Sequence, residues 1–464
     1  MTLEEIFALA PEEAIAELKK KKVVVPAWEE LSKAYNVVNH PVEDKQKYQD
    51  EALNNGLIDE MTRVTYSLPK LLTKRMTGFC FGIPIKREYT FAEEASEQQY
   101  KAQQLIEKIY KANRINSINI SRFKKYFAGC EILTIWYMTE GEEPHTKYGV
   151  ETKMKLRCKT YSPMDGYAIY PLFDSTGDYI AVSIEYTEKE GEVEVKYFET
   201  YTDTQHIQYV DRGDGYAEEL KESFELGKNP TIYIQRDEAI FEDSIKKVYE
   251  IEWSTSRAGN YLRKNTSPTA VVDADEVIKY GDEDENYNSG NKNVMQLPKG
   301  SGLTYATWQM NISALEYYNK ELRDMAFTES QIPDISFKEM YNLNLSGEAF
   351  DRIFMDVHLK VLDESGVITE ALDREFNVIR AFAKVIDSSL SEAIDSLDCE
   401  QIVTPFSIRN ESEEIKNFTL ANGGKALMSQ EESIRSYGKS KDVGETMKLI
   451  NQEREQDNSN PTAF

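Results

Sequence analysis

Cysteine and histidine are both scarce: four of each are spread over 464 residues. Cys80, Cys130, Cys158 and Cys399 form no CxxC pair and have no histidine at a ligand spacing, so they read as buried, reduced thiols. His40, His145, His206 and His358 are too far apart in sequence to share a metal by any local pattern. No metal and no cofactor are therefore expected. Long hydrophobic runs are missing too. No stretch reaches the ~18 apolar residues of a membrane span, and MTLEEIFALAPEEAIAEL is acidic and amphipathic, unlike a secretory leader. Positive charge is in deficit, with 55 Lys and Arg against 81 Asp and Glu, a formal charge of −26. That excludes the basic stripe of a sequence-reading DNA protein. It still admits a protein that DNA passes, because an acidic wall repels a duplex carrying one charge per ~1.7 Å of axis. No GxSxG, HExxH or P-loop occurs. In so acidic a chain, neighbouring carboxylates arise by chance, so no catalytic centre stands out.

What is present is organised around residues 239–347. A helix-forming run, Ala239 to Lys264, leads into an acidic insert, Thr266 to Tyr305. A second helical run, Thr307 to Phe327, comes back, and a polar loop follows from Gln331 to Gly347. Two helices that leave a body and return would form a stalk whose apolar stripe needs cover. Neighbouring copies of the chain, arranged in a ring with a hole, would supply it. Lys246, Lys247, Arg257, Arg263 and Lys264 make the first helix basic against the acidic background. In the insert, Thr269 to Val272 and Asn293 to Leu297 read as short strands. Asp282, Glu283, Asp284 and Glu285 lack the ligand spacing of a calcium loop and suit a solvated tip.

Before the stalk, Glu4 to Lys20 reads as one amphipathic helix with Lys19 to Lys22 as a solvated end. A helix is expected from Asn55 to Arg75, kinked at Pro69. The alternation Phe79, Phe81, Ile83, Ile85 in Gly78 to Ile85 reads as a half-buried strand. Helices Tyr100 to Asn113 and Asn116 to Ala128 follow. The period then switches to two, with strands at Glu131 to Tyr137, Lys153 to Lys159, Tyr167 to Tyr170, Tyr179 to Tyr186, Glu192 to Thr200, Thr204 to Val210 and Thr231 to Gln235. After the loop, Ser346 caps a long helix from Gly347 to Leu362, and another runs from Thr369 to Leu397. Asn422-Gly423-Gly424 closes a later helix. Ser429-Gln430-Glu431-Glu432 has the form of a capping box, and Asp442 caps a last helix from Val443 to Glu455.

This order of elements resembles the portal proteins of tailed bacteriophages, most closely the small portals of long, non-contractile-tailed phages. The similarity rests on the Gly78 to Ile85 corner, the Asn344-Leu345-Ser346-Gly347-Glu348-Ala349 approach to the long helix, Phe406 with Arg409 and Asn410, and the Ser429 to Glu455 end. It implies an α+β portal-type subunit with an α/β wing, a two-helix stem, a small α/β clip, a tunnel loop and a helical crown. The implied ranges are wing 1–238, first stem helix 239–265, clip 266–306, second stem helix 307–328, tunnel loop 329–347, long wing helix 348–370 and crown 371–464. The implied function is a dodecameric ring at one capsid vertex, in the virion, through which double-stranded DNA is packaged and ejected without sequence preference. The implied partners are the terminase large subunit, head-completion or adaptor proteins, and the major capsid and scaffolding proteins, with no membrane. The resemblance places Lys338, Asn342, Asn344 and Ser346 in the tunnel loop and Asp282 to Glu285 in the clip facing partners. Lys246, Lys247, Arg257 and Lys264 are candidates to face the channel, or alternatively to pair with carboxylates of neighbouring subunits. Two other readings stand beside this one: a phage head or tail protein that forms no ring, and a carbohydrate hydrolase using a carboxylate pair in the tyrosine-rich β region.

Overall fold

The computed structural model describes residues 2–20, 23–52, 58–90, 96–265, 269–273, 294–297, 304–306, 312–336, 353–406, 411–423, 427–437, 440 and 443–459. The chain divides into one unit of residues 1–334 with 356–406 and a second of 335–355 with 407–464.

The larger unit begins with two helices where one was expected. Thr2 and Glu5 close a capping box at α1 (Leu3–Phe7), and α2 (Pro11–Lys20) starts afresh at Pro11. Proline has no N–H to give and fits only a first turn, so it divides the run. α2 buries Ala14, Ile15 and Leu18, and Lys19 donates to Glu185 at 2.6 Å instead of ending in solvent. After α3 (Trp28–Tyr35), two short strands, β1 (Glu51–Ala52) and β2 (Ile58–Asp59), pair antiparallel.

The expected helix from Asn55 to Arg75 is corrected: residues 60–67 are neither helix nor strand, and α4 runs Leu68–Phe81. Pro69 lies in the first turn of α4, so it starts a helix rather than kinking one. The strand expected over Gly78 to Ile85 is likewise corrected. Phe79, Cys80 and Phe81 belong to α4 and are all buried, because four alternating apolar residues fit a buried helix end as well as a strand. The strand comes later, as β3 (Lys86–Thr90).

Helices α5 (Glu97–Ala112) and α6 (Ile115–Gly129) lead into an antiparallel array of β4 (Glu131–His145), β5 (Thr152–Tyr161), β6 (Ala168–Phe173), β7 (Tyr179–Glu190), β8 (Val193–Tyr201), β9 (Gln205–Asp211), β10 (Tyr216–Ser223) and β11 (Thr231–Gln235). They form two sheets, ordered β11-β4-β5 and β10-β9-β8-β7-β6. Leu133, Ile135, Tyr161 and Tyr233 of the first pack on Ile169, Val182 and Ile184 of the second. The other part of the core joins α2 to Leu172, Ala181, Phe198 and Ile207.

Helix α7 (Ile245–Asn265) follows, then β12 (Thr269–Asp273), β13 (Val294–Leu297) and β14 (Thr304–Ala306), then α8 (Ile312–Ser330). β12 pairs parallel with β13 and antiparallel with β14, so the insert contains a third strand beyond the two expected.

The two helices expected after the loop are one, α9 (Met355–Ile386). Its buried face, Val357, Val361, Ile368, Leu372, Phe376 and Ile379, keeps helical register across the interval between Leu362 and Thr369 that reads as a break. α10 (Ser391–Asp395) and β15 (Asp398–Ile402) complete the unit, with β15 pairing antiparallel to β3. The chain then lies against the end of α4, where the Phe406 N–H donates to the Phe79 carbonyl at 2.8 Å. A Cβ added at Gly82 would run into the Gly78 carbonyl oxygen and stand 3.2 Å from the Phe406 ring, which is why this corner takes glycine.

In the smaller unit, α11 (Glu411–Asn422), α12 (Gln430–Tyr437) and α13 (Val443–Ser459) succeed one another. Ser429 and Glu432 form the expected capping box, at 2.9 and 3.1 Å.

Candidate functional site: the α7–α8 pair and its anchorage

α7 and α8 run antiparallel. Lys247 pairs with Glu329, and Ser254 and Thr255 meet Asn319 at 2.6 and 3.2 Å, so α8 retreats as α7 advances. At 100° per residue, positions 246, 253, 257 and 264 share one stripe of α7. Lys246 and Arg257 are exposed there, and the Arg257 guanidinium lies 5.0 Å from the Trp253 ring centroid. Lys264 belongs to the stripe by register, although its side chain is not among those described. Lys247 turns to the α8 side instead. The four sequence candidates thus separate into three on one face and one bonded within the pair.

The flank of α7 next to this stripe, on the side away from Lys247, carries residues 60–67. The N–H groups of Thr62, Val64 and Tyr66 donate to Asn260 Oδ1 at 2.6 Å, Ser256 Oγ at 2.9 Å and Glu252 Oε1 at 2.6 Å. Two residues of extended chain rise ~6.7 Å and four residues of helix ~6.0 Å. Every second amide therefore meets every fourth side chain, and the segment cannot also be helical. Gly259 permits this approach, since a Cβ there would stand 2.8 Å from Thr62 Cγ2.

Glu252 is buried, and its Oε1 also lies 2.6 Å from His40 Nδ1. His40 Nε2 is 2.8 Å from the Ala34 carbonyl oxygen, which can only accept. The imidazole thus ties α3 to α7 through a carboxylate that also holds the extended segment. The other base, after α8, is held by arginines. Arg75 of α4 donates to the Pro333 carbonyl at 2.8 Å and to Asp334 at 3.2 Å, and Arg323 pairs with the same carboxylate. Both guanidinium groups lie near the Phe327 ring, at 5.2 and 5.9 Å.

Sequence reasoning missed these anchors and also a buried pair in the β region. Arg122 of α6 bonds Glu375 of α9 through two hydrogen bonds, at 2.7 and 2.8 Å, and the Trp136 indole N–H donates to Glu375 at 3.0 Å. A signal for it exists: Ile368, Leu372, Glu375 and Ile379 are spaced 4-3-4, so Glu375 occupies a core position of an apolar stripe.

The remaining sequence candidates, Lys338, Asn342, Asn344, Ser346, Asp282, Glu283, Asp284 and Glu285, lie outside the described residues, as do Arg409 and Asn410. The tyrosine-rich sheet holds two engaged carboxylates. Burial would raise Glu199, but hydrogen bonds from His206, Tyr186 and Tyr201 outweigh it and bring the carboxyl down to about 2. Burial likewise opposes ionisation of Glu185, yet Lys19, Tyr170 and Tyr216 hold it below its ordinary value. A glycosidase needs one acid held protonated, and these two are held ionised. Burial pushes the thiols of Cys130, Cys158 and Cys399 up to about 12. Among the described residues no helix is long and apolar enough to cross a membrane.

The family model described as phage portal protein, SPP1 Gp6-like, matches residues 18–460. The chain belongs to that family. No curated protein matches it. The portal match takes in both units, so the smaller one is part of the portal chain and not an unrelated appendage. The mixture of helices and antiparallel sheets agrees with the expected α+β class. As a portal protein the chain is a capsid component of a virion, of a family that assembles into oligomeric rings.

Proposed function

We propose that the chain forms a closed ring at a capsid vertex, a dodecamer in the intact particle, and that double-stranded DNA passes through its centre during packaging and ejection. The observation that carries this reading is the α7–α8 pair within a chain that matches the portal family over nearly all its length. The pair has one cationic stripe, with Lys246 and Arg257 flanking Trp253, whose two cations are exposed among the described residues. On this reading α7 and α8 are the stem, the insert between them with β12 to β14 is the clip, and the stripe faces the channel. Cyclic symmetry turns each cation into a ring of like cations, enough to guide a passing duplex without holding it. Lys338, Asn342, Asn344 and Ser346 would narrow the channel. Asp282 to Glu285 would face the terminase large subunit and later the head-completion proteins, while the outer surfaces meet scaffolding and major capsid proteins. ATP hydrolysis would belong to the motor, and the portal would contribute no catalysis. Negative-stain images of the purified chain test the reading: rings with an axial hole are expected, and compact single subunits would overturn it.

A further inference from the structure

β5 reads Thr-Lys-Met-Lys-Leu-Arg-Cys-Lys-Thr-Tyr from Thr152 to Tyr161. Strand alternation puts Lys153, Lys155, Arg157 and Lys159 on one face and Met154, Leu156 and Cys158 on the other. Successive cations on such a face are ~6.7 Å apart, and the four span ~20 Å. β5 is the edge strand of its sheet. Lys153, Arg157 and Lys159 are exposed, and Lys155 is half-buried along Gly141. The cross-strand neighbours of Lys159, Arg157 and Lys155 on β4 are Ile135, Tyr137 and Thr139, so no β4 carboxylate stands opposite these three; the Ile135 and Tyr161 end of the face packs on the second sheet, whose Glu199 and Glu188 act on Tyr161, while Lys153, Arg157 and Lys159 remain exposed. Glu140 pairs with Met154 and therefore belongs to the other face. Lys159 instead lies 4.7 Å from the Tyr161 ring centroid. Exposed Glu142 and Glu143 follow in β4, yet among the described residues none of the four cations forms an ion pair.

Other cations of the described residues also lack an ion pair, Lys246 and Arg257 among them, so what sets β5 apart is four of them in alternate positions on one strand. Adjacent charges at this spacing lie within a Debye length of one another and repel, so the row favours an anionic partner. The cores of protein–protein interfaces are depleted of lysine. Surfaces that follow a phosphate backbone are rich in lysine and arginine with polar or aromatic neighbours. Exposed Tyr137, beside Arg157, is such a neighbour. We propose that this face of β5 binds the phosphate backbone of DNA without sequence preference, as a contact separate from the α7 stripe. The inference takes DNA as the polyanion from the portal reading but does not depend on a central channel.

The test is equilibrium binding of a short fluorescent duplex to the full chain over a range of salt concentrations. Wild type is compared with a variant carrying Lys153→Gln, Lys155→Gln, Arg157→Gln and Lys159→Gln, and with a second carrying Lys246→Gln and Arg257→Gln. Losing four phosphate contacts should flatten the slope of log K against log salt by about 3.6. At 50 mM salt the affinity relative to wild type should fall about 150-fold further than at 200 mM. Circular dichroism and the thermal midpoint of the β5 variant should match wild type. If one strand substitution unfolds the chain, Lys153→Gln with Lys159→Gln alone should still remove about half the slope change. An unchanged slope in the β5 variant, or no duplex binding by wild type, overturns the proposal. So does a variant that keeps its DNA affinity but no longer assembles, which would assign the row to an acidic protein surface. A failure of the channel reading shows separately, as single subunits in the images or an unaltered α7 variant, with the β5 effect intact.

Discussion

Removing the Glu375 carboxylate should cost more stability than any surface substitution in the chain. Arg122 and Glu375 are both buried, and their two parallel hydrogen bonds are supplemented by the Trp136 indole and by Thr134 Oγ1, 3.3 Å from Arg122. Burial alone would favour loss of the Arg122 proton, but the charge and hydrogen bonds of Glu375 outweigh it and hold the guanidinium charged. Glu375→Ala therefore leaves a buried cation without a counter-ion, a defect worth about 3–5 kcal/mol. Replacing both partners by apolar residues of similar volume, Arg122→Met with Glu375→Leu, removes that defect, and such replacements are often neutral. The pair should be measured by urea unfolding at one fixed protein concentration, because self-association, as proposed above, would add a concentration term. Far-UV circular dichroism would follow the whole chain and tryptophan fluorescence the site, since Trp136 loses its acceptor. The expected order is wild type close to the double variant and Glu375→Ala well below both. A loss under about 1 kcal/mol in Glu375→Ala, or a double variant as unstable as that single one, would refute the view that the charge is buried and balanced by this one partner.

Two further outcomes follow from the hydrogen bonds. Glu199 is held at about 2 against an ordinary 4.5, a depressed folded-state value. The stability it supplies, on the order of 3 kcal/mol, is present above pH ~4.5 and lost as pH falls toward 2. Glu199→Gln should therefore be less stable at neutral pH and show a shallower fall in thermal midpoint across that interval; an acid profile parallel to wild type would contradict the assignment. For residues 60–67, hydrogen exchange should find the Thr62, Val64 and Tyr66 amides protected. Asn260→Ala, Ser256→Ala and Glu252→Ala should each expose chiefly its own amide, with the largest stability loss, about 3 kcal/mol, for Glu252→Ala, which also strips His40 of its acceptor. Equal protection in all three variants would sink the amide-to-side-chain ladder.

How far the fold could be read from sequence depended on where each element finds its partners. The strands from Glu131 to Val210 were legible because each alternates and pairs with a neighbour close in sequence. β10 was not, since Glu218, Glu219, Lys221 and Glu222 leave no apolar alternation on an edge strand. Residues 60–67 resisted for a different reason. Their conformation is set by side chains of α7 nearly two hundred positions away, while their own apolar spacing suits a helix. The break assigned between Leu362 and Thr369 failed because a continuous buried face outweighs one mid-helix glycine, Gly366, which costs only ~1 kcal/mol. At the candidate site, periodicity identified the basic helix but could not tell Lys247 from Lys246. One residue is a 100° turn, and only the position of α8 decides which lysine finds Glu329.

The two bases of the α7–α8 pair are fastened by different chemistry, and the difference bears on the proposed conduit. α7 is held along its length by three amides and the His40–Glu252 contact, so it can shift only by breaking several bonds together. The end of α8 is held by the Asp334 carboxylate shared by Arg75 and Arg323, by the Arg75 bond to the Pro333 carbonyl and by Lys247 on Glu329. A load on α7 therefore passes into α3 and residues 60–67, whereas a load on the chain following α8 passes through Arg75 into α4. α4 in turn carries the Gly82 corner against Phe406. The cationic stripe of α7 is thus fixed by contacts independent of the Asp334 carboxylate. Asp334→Asn should then leave the stability of the α7 side unchanged and selectively increase hydrogen exchange at the end of α8. Equal loosening of both helices would show that they move as one body, and would remove the basis for assigning them separate roles in the channel.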